Sequence, residues 1–156
     1  MRKYENPISA PPEVQLLSNG RYHTAVSTAG GGYSHRGDLA VTRWREDATR
    51  DCWGTFIYLR DIATGDYWSA AHQPTLKSAE QNDVIFAGAT AEFRRRQNGV
   101  EAITQIWVSP EDDLEVRRVV LTNRSATQPD TGPSSPPRLI DPNRAAATQA
   151  PERVRA

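Results

Sequence analysis

Residues 91–122 read AEFRRRQNGVEAITQIWVSPEDDLEVRRVVLT, and this stretch decides the fold class. Two runs that alternate apolar and polar residues, 91–96 and 100–109, flank a QNG turn, and Asn-Gly is a strong hairpin signal. A PEDD turn at 110–113 then leads into a third alternating run at 114–122. A period of two residues is typical of a strand with one buried face. The stretch is therefore predicted to form three antiparallel strands.

Shorter runs of the same kind precede this stretch. Val14–Ser18 and residues 21–28 are separated by Asn-Gly, and residues 54–60 and 67–69 are separated by the turn-forming DIATG. No segment shows a helical period over three turns. Short strands with frequent turn signals predict an all-β protein, an antiparallel β-sandwich.

Composition excludes several classes of function. The 156 residues carry 19 basic and 19 acidic side chains, and a neutral chain lacks the positive charge on which nucleic-acid binding depends. No apolar stretch is long enough to cross a membrane, and the first residues lack the apolar core of a secretory signal, so we expect a cytoplasmic domain. The single cysteine, Cys52, rules out an internal disulfide, and the three histidines lie on separate segments, so we expect no metal site.

The distribution of residue types divides the chain into three parts. All twelve aromatic residues lie between Tyr4 and Trp107, and residues 124–156 are rich in Pro, Ala, Ser, Thr and Arg. A segment of that composition is predicted to be disordered, because it buries too little apolar surface to offset its ordering entropy. We therefore expect a flexible leader over 1–12, a sandwich over 13–123 and a disordered tail over 124–156. The strand at 114–122 is left without a partner on one side, which predicts an incomplete sandwich.

Two motifs are candidates for function. The glycine run at 30–32 lacks the Lys and the helix of a phosphate-binding loop, which favours a tight loop where backbones approach closely. Residues 43–53, RWREDATRDCW, combine indole, carboxylate and guanidinium groups, which can stack on a sugar ring and bond its hydroxyls. A loop closed by its own ion pairs explains the same residues equally well.

The sequence resembles a known family. PEVQLLSNGRYHTAVSTAGGGYS, DLAVTRWREDATRDCWGTFIYLRD, WSAAHQPT, AEFRRR and VSPEDDLEVRRVVLTNRS are similar, in order, to the N-terminal β-supersandwich of glycoside hydrolase family 94. The family contains cellobiose and chitobiose phosphorylases and the C-terminal region of cyclic β-1,2-glucan synthases. The resemblance covers residues 12–125, and the stretch at 43–61 is most similar to the glucan synthase branch.

The resemblance implies that this chain is the non-catalytic part of a larger enzyme. In the family an (α/α)6 helical barrel follows the sandwich, supplies an aspartate as general acid and uses inorganic phosphate as the nucleophile. The sandwich packs on the barrel, shapes the mouth of the active site and takes part in dimer contacts. We therefore expect no catalytic residue, no cofactor and no activity in this chain alone, and an inner-membrane-associated parent if it is a glucan synthase. The residues expected at the mouth, in contact with a β-glucan or oligosaccharide, are Tyr33, Arg43, Trp44, Arg45, Asp47, Arg50, Asp51 and Trp53.

Three hypotheses remain open. The chain is a fragment of a glucan synthase or related phosphorylase, produced from a truncated or frameshifted reading frame, or it is a free-standing carbohydrate-binding module with Trp44 and Trp53 as its stacking surface. The third and weakest hypothesis is an independent enzyme.

Overall fold

The computed structural model describes residues 1–5, 13–45, 51–125 and 138–140, and of the last range only the backbone. These residues form strands and no helix, so the described part contains no helix that could cross a membrane. The strands are β1 Arg2–Glu5, β2 Val14–Ser18, β3 Tyr22–Ser27, β4 Gly32–Arg36, β5 Leu39–Ala40, β6 Tyr58–Arg60, β7 Tyr67–Ser69, β8 Gln81–Ala87, β9 Thr90–Gln97, β10 Val100–Val108, β11 Glu115–Asn123 and β12 Arg138–Ile140.

The strands form three antiparallel sheets. The largest has the order β1-β8-β9-β10-β11, the second is the meander β2-β3-β4-β5, and the third has the order β12-β6-β7. Within the large sheet, β9 and β10 form the hairpin that the QNG turn predicts, with Val100 opposite Gln97. The turn residue Asn98 has a φ of 52°, a left-handed conformation that Asn tolerates better than most residues.

One face of the large sheet holds the core. Leu17, Tyr22 and Val26 of the four-stranded sheet pack there against Phe86, Phe93 and other buried residues of the large sheet. Farther along the same face, Leu59 and Trp68 of the three-stranded sheet pack against Val100 and Ala102. Two small sheets therefore cover one large sheet, and the predicted all-β antiparallel sandwich is confirmed.

Short strands form within two segments that the sequence predicts to be flexible or disordered. Arg2–Glu5, in the predicted flexible leader, pairs with β8, and the Tyr4 ring lies 5.5 Å from the Phe86 ring. Arg138–Ile140, in the predicted disordered tail, pairs with β6. In both cases a strand edge far away in sequence supplies the pairing partner, which composition alone does not reveal.

Three internal strands lie outside the runs that the sequence predicts as strands. They are Gly32–Arg36, Leu39–Ala40 and Gln81–Ala87. Of the predicted strand at 54–60, only Tyr58–Arg60 pairs.

The strand β11 lies at an edge of the large sheet. Its nine residues pair with β10, and within the described residues nothing pairs with its other side. Leu114, Val120 and Leu121, at or beside this edge, are each at least 36% exposed. The expectation that this strand lacks a second partner therefore holds for the described part of the chain.

Replacing Phe86 with Ala tests the packing between the large sheet and its cover. Phe86 is 2% exposed, and removing a buried phenyl ring lowers the free energy of unfolding by about 3–5 kcal/mol. Leu39→Ala is the control, because Leu39 is 65% exposed and a surface change costs about 0.5 kcal/mol or less. Denaturant unfolding of both variants measures the difference, and equal losses would contradict this assignment of the core.

Candidate functional site

The glycine run at 30–32 is where two segments of backbone come into contact. The Gly32 N–H donates to the Trp53 carbonyl at 2.7 Å. A Cβ atom at Gly31 would lie 2.7 Å from the Asp51 carbonyl oxygen and in collision with its carboxylate, and one at Gly30 would lie 2.4 Å from Ala71 Cβ. Residues with side chains do not fit here. The interpretation of the run as a tight loop with close backbone approach is confirmed.

The carboxylate of Asp51 points into this contact. It accepts a hydrogen bond from the Ser27 hydroxyl at the end of β3 and lies against Gly31. Burial raises the pKa of Asp51, and the hydrogen bond from Ser27 opposes that shift. The side chain therefore fastens residues 51–54 to the glycine run.

A row of rings lies on the outer face of the four-stranded sheet. His23 and His35 are direct cross-strand neighbours with ring centroids 4.8 Å apart, and Tyr33 continues the row 5.8 Å from His35. The Trp44 ring follows, 5.4 Å from Tyr33. The rings within the row cover one another. Trp44 lies at the end of the row and is 49% exposed, so its indole is the ring surface that is open to a ligand.

Backbone contacts hold the Trp44 segment to β4. The amides of Val41 and Thr42 donate to the Ser34 carbonyl at 3.0 and 3.2 Å, and the Ser34 amide donates to the Thr42 hydroxyl at 2.8 Å. Trp44 lies two residues after Thr42, in the exposed stretch 43–45, whose start is fixed by these hydrogen bonds.

Residues 43–45 and 51–53 present basic groups beside these rings. Arg43 and Arg45 are exposed, and the Arg45 guanidinium carbon lies 5.9 Å from the centroid of the half-buried Trp53 ring, within range of a cation–π contact. The neighbouring Cys52 is a half-buried free thiol.

Two charged residues of β11, Glu115 and Arg117, support the site and are not among the residues predicted from the sequence. Glu115 accepts a hydrogen bond from the Ser34 hydroxyl at 2.7 Å and pairs with Arg117, which donates to the Thr55 carbonyl at 2.5 Å. Burial would raise the pKa of Glu115, but Arg117 and these hydrogen bonds outweigh it and lower the pKa. Their signal in the sequence was the alternation of β11, which put both charges on one face with Val119 and Leu121.

The structure thus brings most of the predicted site residues into one area. Tyr33 contacts Trp44, Arg45 contacts Trp53, and Asp51 binds the loop between β3 and β4. Asp47 and Arg50 lie outside the described residues. Although the histidines are on separate segments, two of them are in contact, and no group of three metal-binding side chains occurs among the residues that the structure describes.

Comparison with known proteins identifies relatives of this chain. Residues 1–130 match the family described as glycosyl hydrolase 94, supersandwich domain. The chain is 39% identical over 123 residues to the cyclic beta-(1,2)-glucan synthase NdvB of Rhizobium meliloti (strain 1021), covering 79% of this chain and 4% of that protein. It is 34% identical over 124 residues to the N,N'-diacetylchitobiose phosphorylase of Vibrio proteolyticus, covering 76% of this chain and 16% of that protein. A 3-O-beta-D-glucopyranosyl-beta-D-glucuronide phosphorylase of Paenibacillus borealis is 29% identical over 107 residues, which cover 69% of this chain and 13% of the relative. The chain therefore matches a small part of each relative.

Replacing Gly31 with Ala tests the close approach of the two backbones. The added methyl group overlaps Asp51, and overpacking of this kind costs about 1–3 kcal/mol of unfolding free energy. Gly88→Asn is the matched control, because a side chain at Gly88 meets open space and Asn tolerates its φ of 55°. Thermal and denaturant unfolding compare the two variants, and a fully stable Gly31→Ala protein would contradict the contact.

The raised pKa of Asp51 predicts a dependence of stability on pH. A carboxyl group that holds its proton more tightly in the folded state gains stability as the pH falls from its native pKa toward the ordinary value of an unfolded Asp. In Asp51→Asn this contribution is absent, so the stability of the wild type relative to the variant should rise as the pH falls through that window. Unfolding measured across the acidic range, with NMR titration of the Asp51 carboxyl carbon, checks the result; a constant difference would contradict it.

Proposed function

The chain belongs to glycoside hydrolase family 94, as its supersandwich domain, and we propose that it is a non-catalytic carbohydrate-contacting part that shapes the mouth of an active site. One observation carries this proposal. The residues that the family resemblance assigns to the mouth are Tyr33 and several in the stretch at 43–53. The two places are joined by the hydrogen bond between Gly32 and Trp53 and by the contact between Tyr33 and Trp44.

The exposed indole of Trp44 is the proposed sugar-stacking surface. Aromatic side chains provide a large, rigid apolar face, and the C–H face of a pyranose is a suitable partner for it. Arg43 and Arg45 lie one residue away on either side and supply N–H donors for sugar hydroxyls. Asp51 acts as a positioning residue, since its carboxylate is used by Ser27.

The catalytic groups are proposed to lie in another domain. The chain spans between 4% and 16% of the relatives described above, so a partner domain would supply the general acid and the phosphate-binding residues. The proposed neighbour is a helical barrel, with a second subunit as a further partner. The open edge of β11 supports an arrangement in which more polypeptide packs beside the described part of this sandwich.

A free-standing carbohydrate-binding module is the second candidate. It is favoured by the row from His23 to Trp44, which is built by neighbouring strands and segments within this chain. Affinity separates the two functions, because half of a cleft should bind an oligosaccharide in the millimolar range, at about −4 kcal/mol, and a complete module more tightly.

The stacking surface is tested by calorimetry with β-1,2-linked gluco-oligosaccharides. Trp44→Ala should weaken binding by about 1–3 kcal/mol, taking stacking of aromatic side chains on nucleic-acid bases as the nearest calibrated case. Trp53→Ala should have a smaller effect, since Trp53 is half-buried. Tyr67→Ala is the matched control, because Tyr67 is 52% exposed and lies in another sheet. Equal binding by the wild type and Trp44→Ala would overturn the proposed role of Trp44, and micromolar affinity would favour the free-standing module.

A further inference from the structure

A second concave surface lies apart from the row of rings. It is a cleft of about 330 Å³, within the size range of small-molecule sites. Neither Tyr33 nor Trp44 contributes to it. Most of the residues that line it have polar side chains, among them His72, Lys77, Ser78, Glu80, Asn82 and Asp83, and apolar atoms of the lining residues form much of the remaining surface.

Two arginines of β9 hold residues 77–80, which form one wall of this cleft. Arg95 is 1% exposed, and its guanidinium donates to the Lys77 carbonyl at 2.6 Å and to the Gln97 side-chain oxygen at 2.8 Å. The next residue, Arg96, accepts the Glu80 amide at 2.9 Å through its carbonyl and pairs with the Glu80 carboxylate at 2.9 Å. Residues 77–80 are therefore fixed at both ends, so the cleft is preorganised.

A neutral histidine forms part of the lining. His72 is 9% exposed, and burial, followed by the charge of Arg95, lowers its pKa, so the imidazole is uncharged at pH 7. Its ring makes no hydrogen bond to any described residue. The backbone around it is anchored, since the His72 carbonyl accepts the Leu76 amide at 3.0 Å and the Gln73 amide donates to Ala29 at 2.9 Å. A neutral imidazole offers one donor and one acceptor to a ligand.

The charged groups of the cleft already have partners. Lys3 pairs with Glu5 at 2.8 Å and lies 3.8 Å from Asp83, and Lys77 pairs with Asp66. Glu80 pairs with Arg96. The side chains that make no hydrogen bond to the described residues are an imidazole, a hydroxyl and an amide, those of His72, Ser78 and Asn82. Uncharged donors and acceptors set among apolar surface in a fixed cleft suit a neutral ligand that is rich in hydroxyl groups.

We propose that this cleft is a second binding site for a neutral carbohydrate unit, bound through hydrogen bonds from His72, Ser78 and Asn82 rather than through stacking. Arg95 is a positioning residue, because it holds the Lys77 carbonyl at the wall. The site does not depend on Trp44, so it stands or fails separately from the proposed function.

The test uses the full chain labelled with nitrogen-15 and sophorose, the β-1,2-linked disaccharide of glucose, as the probe. Amide signals of residues 77–83 and the imidazole signals of His72 should shift as sophorose is added. Ser78→Ala and Asn82→Ala should each weaken this response by roughly two- to tenfold, the effect of losing one hydrogen bond. Neither residue is in the core, so both variants should fold. His72→Phe keeps the size of the ring but removes its nitrogens and should weaken the response at least as much.

Trp44→Ala is the control, and it should leave the shifts at 77–83 unchanged while removing any shifts near Tyr33. Sodium phosphate and calcium chloride are titrated in parallel. Absence of shifts at 77–83 with sophorose, shifts that survive all three cleft variants, or a response to phosphate or calcium alone would each overturn the proposal. Shifts confined to Trp44 and its neighbours would support the proposed function and refute the second site.

Discussion

The inward face of the β9–β10 hairpin is the surface on which the whole arrangement depends. Its side chains meet the four-stranded sheet at one end, through Phe93 and Ile106, and the three-stranded sheet at the other, through Ala102. At the second of these ends the face also carries a charge, because Arg95 lies opposite Ala102 and is fully buried. A buried guanidinium is costly unless its donors are used. Here Nε and Nη2 bind the Gln97 side chain and the Lys77 carbonyl at the cleft, while Nη1 has no partner among the described residues. One strand thus supports the core and a surface cavity together.

The candidate mouth depends on a different constraint, the distance between two backbones. Gly31 and Gly32 let residues 51–54 approach within hydrogen-bond range, and the half-buried carboxylate of Asp51 holds them there. Residues 41–42 are fixed to β4, and Trp44 lies in the exposed stretch 43–45 that follows them. The site therefore combines a rigid base with an aromatic group at the surface.

Local patterns were sufficient to predict the sandwich but not its connections. The hairpins at 19–20 and 97–99 are encoded by neighbouring residues, so they were predicted correctly. Strand β8 begins with the polar residues Gln81, Asn82 and Asp83, so its sequence shows little alternation. It is extended because it pairs with β1 on one side and β9 on the other. The family relationship was likewise visible in the sequence, since it rests on the order of several motifs.

The candidate site was predicted only in part, for a physical reason. Residue type indicates what a side chain is able to bind, while the fold decides what it does bind. The sequence assigned Asp51 to a sugar, whereas the approach of its segment to Gly31 turns it toward Ser27. The cleft beside His72 has no sequence motif, because it is built from segments that are far apart along the chain. Glu5 of β1 lines it, and Arg95 holds its wall through the Lys77 carbonyl.

The pairing of β1 with β8 has a consequence for how the domain folds. Tyr4 is aligned with Val84, about 80 residues later, and β2 to β7 lie between them. Closing so long a loop is entropically expensive until the intervening segments have organised, so contacts of this kind tend to form late. During synthesis, β1 therefore has no strand to pair with until β8 has left the ribosome and has paired with β9. Strand β1 is therefore made before its partner and is expected to join the sheet among the last of the described strands.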